Sequence, residues 1–253
     1  MKKQIPNIIT LLNLLCGILS IFELLYFHNF VASSCFIIAG SVFDFLDGMT
    51  ARLLGVSSPI GKELDSLSDI VTFGIAPSLI AFMLLNPVTV IYEGCPDVGE
   101  KREIINYWAF VPLLMALFSS YRLAKFNLDT RQADSFIGLA TPANAFLWLS
   151  IPLINLQSNF HFLYGIMKSE YFIVPVSLIC CVLLVSEIPM FSLKFHNLKW
   201  HDNKIRFIFL ILSAVLLILL WFAAIPTIII LYINLSIINN ILNKQNNEIP
   251  SSD

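Results

Sequence analysis

Four aspartates gather in a stretch that is otherwise apolar. Asp44 and Asp47 belong to the run Asp44-Phe45-Leu46-Asp47-Gly48-Met49-Thr50-Ala51-Arg52, and Asp65 and Asp69 to the run Gly61-Lys62-Glu63-Leu64-Asp65-Ser66-Leu67-Ser68-Asp69. On a helix, with about 100° per residue, Asp44 and Asp47 fall about 60° apart, and Asp65 and Asp69 about 40° apart. Each pair therefore shares a helix face. A carboxylate within a membrane helix costs about 2.5–3.5 kcal/mol at the bilayer centre and less toward the interface. Four brought together repel one another, and some take up protons unless cations sit between them. Two divalent ions would keep all four ionised. An all-oxygen ligand set suits Mg²⁺ or Mn²⁺, and two such ions side by side form a clamp for displacement at phosphorus. Simple ion pairing with Arg52 or Lys62 is the other use of the same charges.

The elements that position these residues are membrane helices. Of 253 residues, 57% are hydrophobic and 13% charged, and mean hydropathy is +0.80. A soluble chain carries about 25% charged residues. The net charge of −2 gives no ground for a nucleic-acid partner. Apolar runs near spanning length predict eight helices, at about 8–27, 30–52, 65–86, 105–124, 139–157, 170–189, 206–222 and 225–242. The last two are joined by a short turn near Pro226. The fold class expected is all-α, a polytopic transmembrane bundle. Lys2 and Lys3 precede the first apolar run as they would in a secretory signal. That run is long enough to span and no small-residue cleavage site follows, so it reads as a retained helix. With both termini in the cytosol, twelve of the fifteen basic residues face inward, leaving Lys101, Arg102 and Lys168 outside. The carboxylates then lie at the cytosolic edge. Cys16, Cys35, Cys95, Cys180 and Cys181 show no metal-ligand spacing and no disulfide framework. Trp108, Trp148, Trp200 and Trp221 fall near predicted helix ends, as interfacial anchors do. Pro112 and Pro152 predict kinks, His196 and His201 a basic inner loop, His28 and His161 short outer turns, and Asp129 and Arg131 a solvated loop.

The full set, from Asp44 through Gly48, Ala51, Arg52 and Gly61 to Asp69, resembles the signature of the CDP-alcohol phosphatidyltransferases at every defined position. That resemblance implies a core of about six membrane helices. It also implies that Asp44, Asp47, Asp65 and Asp69 hold two metal ions, with Asp69 also acting as general base toward the acceptor hydroxyl. Gly48, Arg52 and Gly61 would line the CDP site. The entry Pro6-Asn7-Ile8-Ile9-Thr10 is similar to the family's first helix, where Asn7 and Thr10 would hydrogen-bond the nucleotide; Asn and Thr also serve as ordinary helix caps. Three further blocks resemble the serine-accepting branch: 71–78, Tyr121-Arg122-Leu123-Ala124-Lys125-Phe126-Asn127, and 138–143.

The resemblance covers residues 4–150. It implies CDP-diacylglycerol and L-serine as substrates at the bilayer, release of CMP, and a homodimer. Arg122 and Lys125, three residues apart on one helix side, are candidates for binding serine's carboxylate or the lipid phosphate, with Asn127 beside them. Basic residues at an inner helix end also serve topology and anionic lipid. The expected division is a core at 1–190 and an added C-terminal hairpin and polar tail at 191–253. The metal motif does not separate serine from glycerol 3-phosphate or other acceptors. A transporter using aspartates as a relay is a rival from another class, but it leaves the two glycines and Arg52 unexplained.

Overall fold

A computed structural model describes residues 2, 4–56, 58–85, 88–93, 100–128, 136–190 and 203–248. Helices dominate it. The first, α1 (Gln4–Tyr26), is followed by a turn at His28, whose φ is +51°, and by α2 (Phe30–Leu53). Asn29 caps α2 by accepting from the Ala32 amide. The chain reverses at Gly55, which takes a φ of +60°, a conformation a side chain would resist. Ser58 then caps α3 (Pro59–Asp69), accepting from the Gly61 amide at 2.9 Å, with Pro59 in the first turn. The helix expected from residue 65 thus begins six residues earlier, and Gly61 lies inside it.

Directly after Asp69 the helix widens into a π-helical segment, Ile70–Ile75, and then resumes as α4 (Ala76–Leu84). Beyond it, β1 (Val88–Glu93) and β2 (Glu100–Ile105) pair antiparallel, Val88 opposite Ile105 and Glu93 opposite Glu100. Hydropathy gave no hint of this hairpin, because its charged residues read as loop. A 3₁₀ segment containing Pro112 (Tyr107–Leu113) leads into α5 (Leu114–Leu128). A short strand β3 (Phe136–Ile137) precedes α6 (Thr141–Ile154). Helix α7 (His161–Met167) meets α8 (Glu170–Val185) at a bend of 69°. His161 therefore opens a helix where a turn was expected. The strand β4 (Pro189–Met190) pairs with β3. Helices α9 (Lys204–Leu220) and α10 (Ala224–Glu248) complete the order. Asp129, Arg131, His196, His201, Cys95 and Trp200 lie outside the described residues.

Among the described residues, five stretches qualify as membrane spans by length and hydropathy: Gln4–Tyr26, Phe30–Leu53, Pro59–Leu84, Tyr107–Leu128 and Lys204–Asn240. The bent pair α7–α8 is a sixth. The 37-residue stretch Lys204–Asn240 would be about 56 Å long as one straight helix, against a hydrocarbon core of about 30 Å. It is instead folded back. The rings of Phe209 and Tyr232 lie 5.7 Å apart, and Trp221 reverses the chain with a φ of +50°. With that hairpin taken as two helices and the short α6 included, the described residues form the expected eight helical runs, an all-α polytopic bundle with two small strand pairs.

The core centres on α6, which packs against α2, α4, α7 and α10. Trp148, in this helix, is fully buried and bonds through its indole N–H to Asn144 Oδ1 at 3.1 Å. It is a core residue and not the interfacial anchor expected. Trp108 and Trp221 are both well exposed, consistent with that role. Cys16, Cys35, Cys180 and Cys181 are free thiols.

Candidate active site

The capped turn between α2 and α3 sets the C-terminal end of one helix beside the start of the next. Asp44 and Asp47 from α2 and Asp65 from α3 consequently converge, with one carboxylate oxygen from each inside a 4.8 Å span. Asp47 is buried, and Asp44 and Asp65 are partly so. Asp65 Oδ1 is buried and accepts no hydrogen bond. Asp69 stands one turn beyond Asp65, close enough to interact with the charges of Asp44, Asp65 and Asp47.

Neither candidate cation neutralises this cluster. Arg52 folds back along its own helix and donates from Nε to the Gly48 carbonyl at 3.0 Å. Lys62 donates to the Asn127 carbonyl at 2.9 Å. The ion-pair reading of the aspartates therefore fails for both residues. An all-oxygen donor set, an orphaned buried carboxylate oxygen and the lack of a basic partner at the triad among the described residues fit a hard divalent cation.

Helix α1 supplies the remaining order. Thr10 donates to Asp47 Oδ2 at 2.6 Å. One turn on, Asn13 donates from Nδ2 to Asp69 Oδ1 at 3.2 Å. Ser68 and Thr72 donate in return to the carbonyls of Thr10 and Asn13 at 3.2 and 3.0 Å. Two carboxylates on two helices are thus each held by a third helix. Thr10 and Asn7 lie within α1 and cap nothing.

Sequence reasoning missed Asn13, Ser68 and Thr72. A signal for Asn13 existed, because Thr10, Asn13, Gly17 and Ser20 form a polar and small stripe at helical spacing, and all four are buried.

A cavity of about 360 Å³ opens beside Asp47 and Asp65, lined also by Asn7, Thr10, Gly48, Gly61 and Lys62 among others. Its volume is that of a small-molecule site. At Gly48 an added Cβ would meet nothing within 4 Å and would project into open space. At Gly61 it would lie 2.9 Å from Asn7 Oδ1 and 3.0 Å from Ser58 Oγ. Six of the expected residues, Asn7, Thr10, Asp47, Gly48, Gly61 and Asp65, therefore share one chamber, whose lining includes neither Asp44 nor Asp69. Arg52 is exposed and absent from the lining.

The basic residues of α5 stand apart from that chamber. Arg122 is only 8% exposed, and its Nε is buried without a partner. Its Nη1 lies 3.4 Å from Thr141 Oγ1, and its guanidinium sits 5.9 Å from the Phe126 ring centre. Lys125 pairs with Glu187 at 3.0 Å. Arg122 and Lys125 line a second, much smaller cavity with Phe126, Ile137 and residues 184–186. Arg122 is also within electrostatic reach of Asp69, which links the two regions. Asn127 instead ties the end of α5 to α3, donating to Ser66 Oγ at 2.8 Å.

The chain is 34% identical over 212 residues to a CDP-diacylglycerol–serine O-phosphatidyltransferase of Helicobacter pylori, covering 83% of this chain and 80% of that one. It is 38% identical over 140 residues to the Bacillus subtilis protein of that name, covering 55% and 70%. With the Mycobacterium leprae protein of that name it shares 30% over 236 residues, covering 90% and 72%. The profile of the CDP-alcohol phosphatidyltransferases matches residues 3–184, from the first helix through α8 and the whole carboxylate cluster. The chain belongs to the CDP-alcohol phosphatidyltransferase family.

Proposed function

We propose that this chain is a membrane enzyme that transfers the phosphatidyl group of CDP-diacylglycerol to L-serine, forming phosphatidylserine and CMP. The observation that carries the reading is the convergence of Asp44, Asp47 and Asp65 beside a chamber of about 360 Å³, with neither Arg52 nor Lys62 bonded to them. Family membership and the names of its relatives support serine as the acceptor.

Two divalent ions, Mg²⁺ or Mn²⁺, held by the four aspartates would supply charge neutralisation at the diphosphate and the leaving phosphate. The protein's own groups do the rest. Asn7, Thr10, Gly48 and Gly61 receive the CDP moiety, the two glycines letting it approach the backbone. Arg52 swings from its carbonyl contact to a phosphate. Asp69, steadied by Asn13, accepts the proton of the serine hydroxyl. The serine oxygen bonds to the phosphorus attached to diacylglycerol, and the bond from that phosphorus to the CMP oxygen breaks. Arg122 receives serine's carboxylate.

The acyl chains stay in lipid, and the chamber faces the cytosol, where serine is found. Both termini lie on that side of the cell membrane, and two copies associate. Residues 1–190 form the catalytic core, with 191–253 an addition to it.

The test is CMP release by purified protein given CDP-diacylglycerol, Mn²⁺ and one acceptor at a time. Serine is expected to support turnover, and chelation of the metal to stop it. Turnover with glycerol 3-phosphate but none with serine overturns the assignment of acceptor. Substrate flux into liposomes without CMP release overturns the enzyme reading itself.

A further inference from the structure

The larger chamber holds a cation that the family signature does not name. Among the described residues, Lys62 is the one basic side chain in a lining that otherwise contains two carboxylates, Asp47 and Asp65, and neutral residues. It stands in the first turn of α3, and Ser58 and Gly61 line the same wall. Asp65 follows three residues on, so the lysine stem and that carboxylate are neighbours on one side of the helix. The ammonium nonetheless bonds not to Asp65 but to the Asn127 carbonyl, at 2.9 Å.

That contact can be given up without separating the helices it joins. Asn127 is tied to α3 a second time, its Nδ2 donating to Ser66 Oγ at 2.8 Å, and Ser66 donates on to the Lys62 carbonyl at 3.2 Å. The start of α3 is capped by Ser58 through the Gly61 amide, independently of the lysine side chain. Lys62 is exposed, and an ammonium on a flexible four-carbon stem exchanges partners at little cost. A phosphate, carrying full negative charge, is a stronger partner for it than a neutral carbonyl. The first turn of a helix adds its own attraction for an anion, because the positive end of the dipole lies there. A phosphate entering beside Asp47 and Asp65 is repelled by both carboxylates. Lys62 is the lining side chain whose charge opposes that repulsion.

From this geometry we infer that Lys62 is a further substrate-binding residue, which leaves Asn127 to bond a phosphate of the CDP moiety alongside Arg52. The inference rests on the proposed transfer from CDP-diacylglycerol and deepens it, since it names a cation already at the chamber wall, whereas Arg52 lies outside the lining.

The experiment measures binding of CDP to the purified protein with Mn²⁺ in a neutral detergent, so that no anionic lipid competes for the lysine. Lys62→Met is expected to raise the Kd for CDP about tenfold, the order expected for losing one hydrogen bond to a charged group, and to raise KM for CDP-diacylglycerol with it. KM for serine stays within about twofold of the wild type. Lys62→Arg, which keeps the charge, restores most of the affinity for CDP. An unchanged Kd for CDP in Lys62→Met overturns the inference, and so does a rise in KM for serine alone, which would make Lys62 a tie for α5 and nothing more. Should that variant not fold, the wild type decides. CDP is expected to protect Lys62 from acetylation by a water-soluble amine reagent, read by mass spectrometry, while cytidine, which lacks phosphate, does not. Equal labelling with and without CDP overturns the inference. If the wild type binds no CDP, the proposed function itself fails, and the inference with it.

Discussion

The chemistry rests on which carboxylates are held, and by what. Asp47 takes a hydroxyl from Thr10 and Asp69 an amide from Asn13, each a donor from a separate helix. If Asp69 removes the acceptor's proton, Asp69→Asn should lower CMP release by more than about a hundredfold. Binding of the CDP-lipid, followed by retention on the purified protein, should persist. Asn13→Ala should lower kcat by about tenfold, since it strips a hydrogen bond from a charged group. Its KM for CDP-diacylglycerol should stay within about twofold of the wild type, because Asn13 lies outside the chamber lining. A loss confined to KM would show that Asn13 acts on the lipid substrate instead.

At the scale of elements, α1, α2 and the π-helical segment meet with almost no space between them. A Cβ at Gly17 would sit 2.5 Å from Thr72 Oγ1 and 3.0 Å from the Thr72 backbone. One at Gly40 would sit 2.6 Å from Thr72 Cγ2 and 2.9 Å from Asn13 Oδ1. Small residues let membrane helices approach this closely. Gly17→Ala and Gly40→Ala should each cost about 1–3 kcal/mol through overpacking, read as a lower unfolding midpoint in detergent. Gly48→Ala should leave that midpoint unchanged and raise KM for the CDP-lipid, because its methyl group enters the chamber and touches no protein atom. A matched fall in stability at Gly48 would contradict the assignment of that space to substrate.

The same elements mark how far the sequence could be read. The carboxylate motif and the apolar runs were legible because both follow fixed periods. The start of α3 was set six residues too late, since hydropathy does not register a Ser-Pro cap. The hairpin of β1 and β2 carries no apolar alternation of the kind that marks a buried strand. Trp148 went to the wrong environment because position along a helix says nothing about which side of the bundle it faces. Lys62 lines the chamber beside Asp65 while Arg52 does not, because which acceptor each side chain selects depends on tertiary neighbours. The Glu187 contact joins residues 62 positions apart, beyond any local pattern.

For the whole molecule, the placement of basic residues predicts which ends face the cytosol. In a cysteine-free background, Lys168→Cys should react with a membrane-impermeant thiol reagent added to intact cells, and Lys204→Cys only after lysis. The reverse pattern would put the active site on the outer face and separate it from serine. The hairpin of α9 and α10 lies beyond the family-matched region, yet it packs on α6 and bonds to Pro189. Its place in the molecule is therefore structural as well as peripheral.

One consequence concerns how such a chain comes to be assembled. At fourteen residues, α6 is about 21 Å long, short of the hydrocarbon thickness by several ångströms. Most of its side chains are enclosed by protein, Asn144 and Ser150 among them. Lipid alone offers such a segment neither sufficient length nor partners for its amides and hydroxyls. It has to wait during biogenesis until its neighbours have made a slot for it. Mutations there should thus present as maturation defects, with protein lost to quality control, even though no residue of that helix takes part in the chemistry proposed for the aspartates.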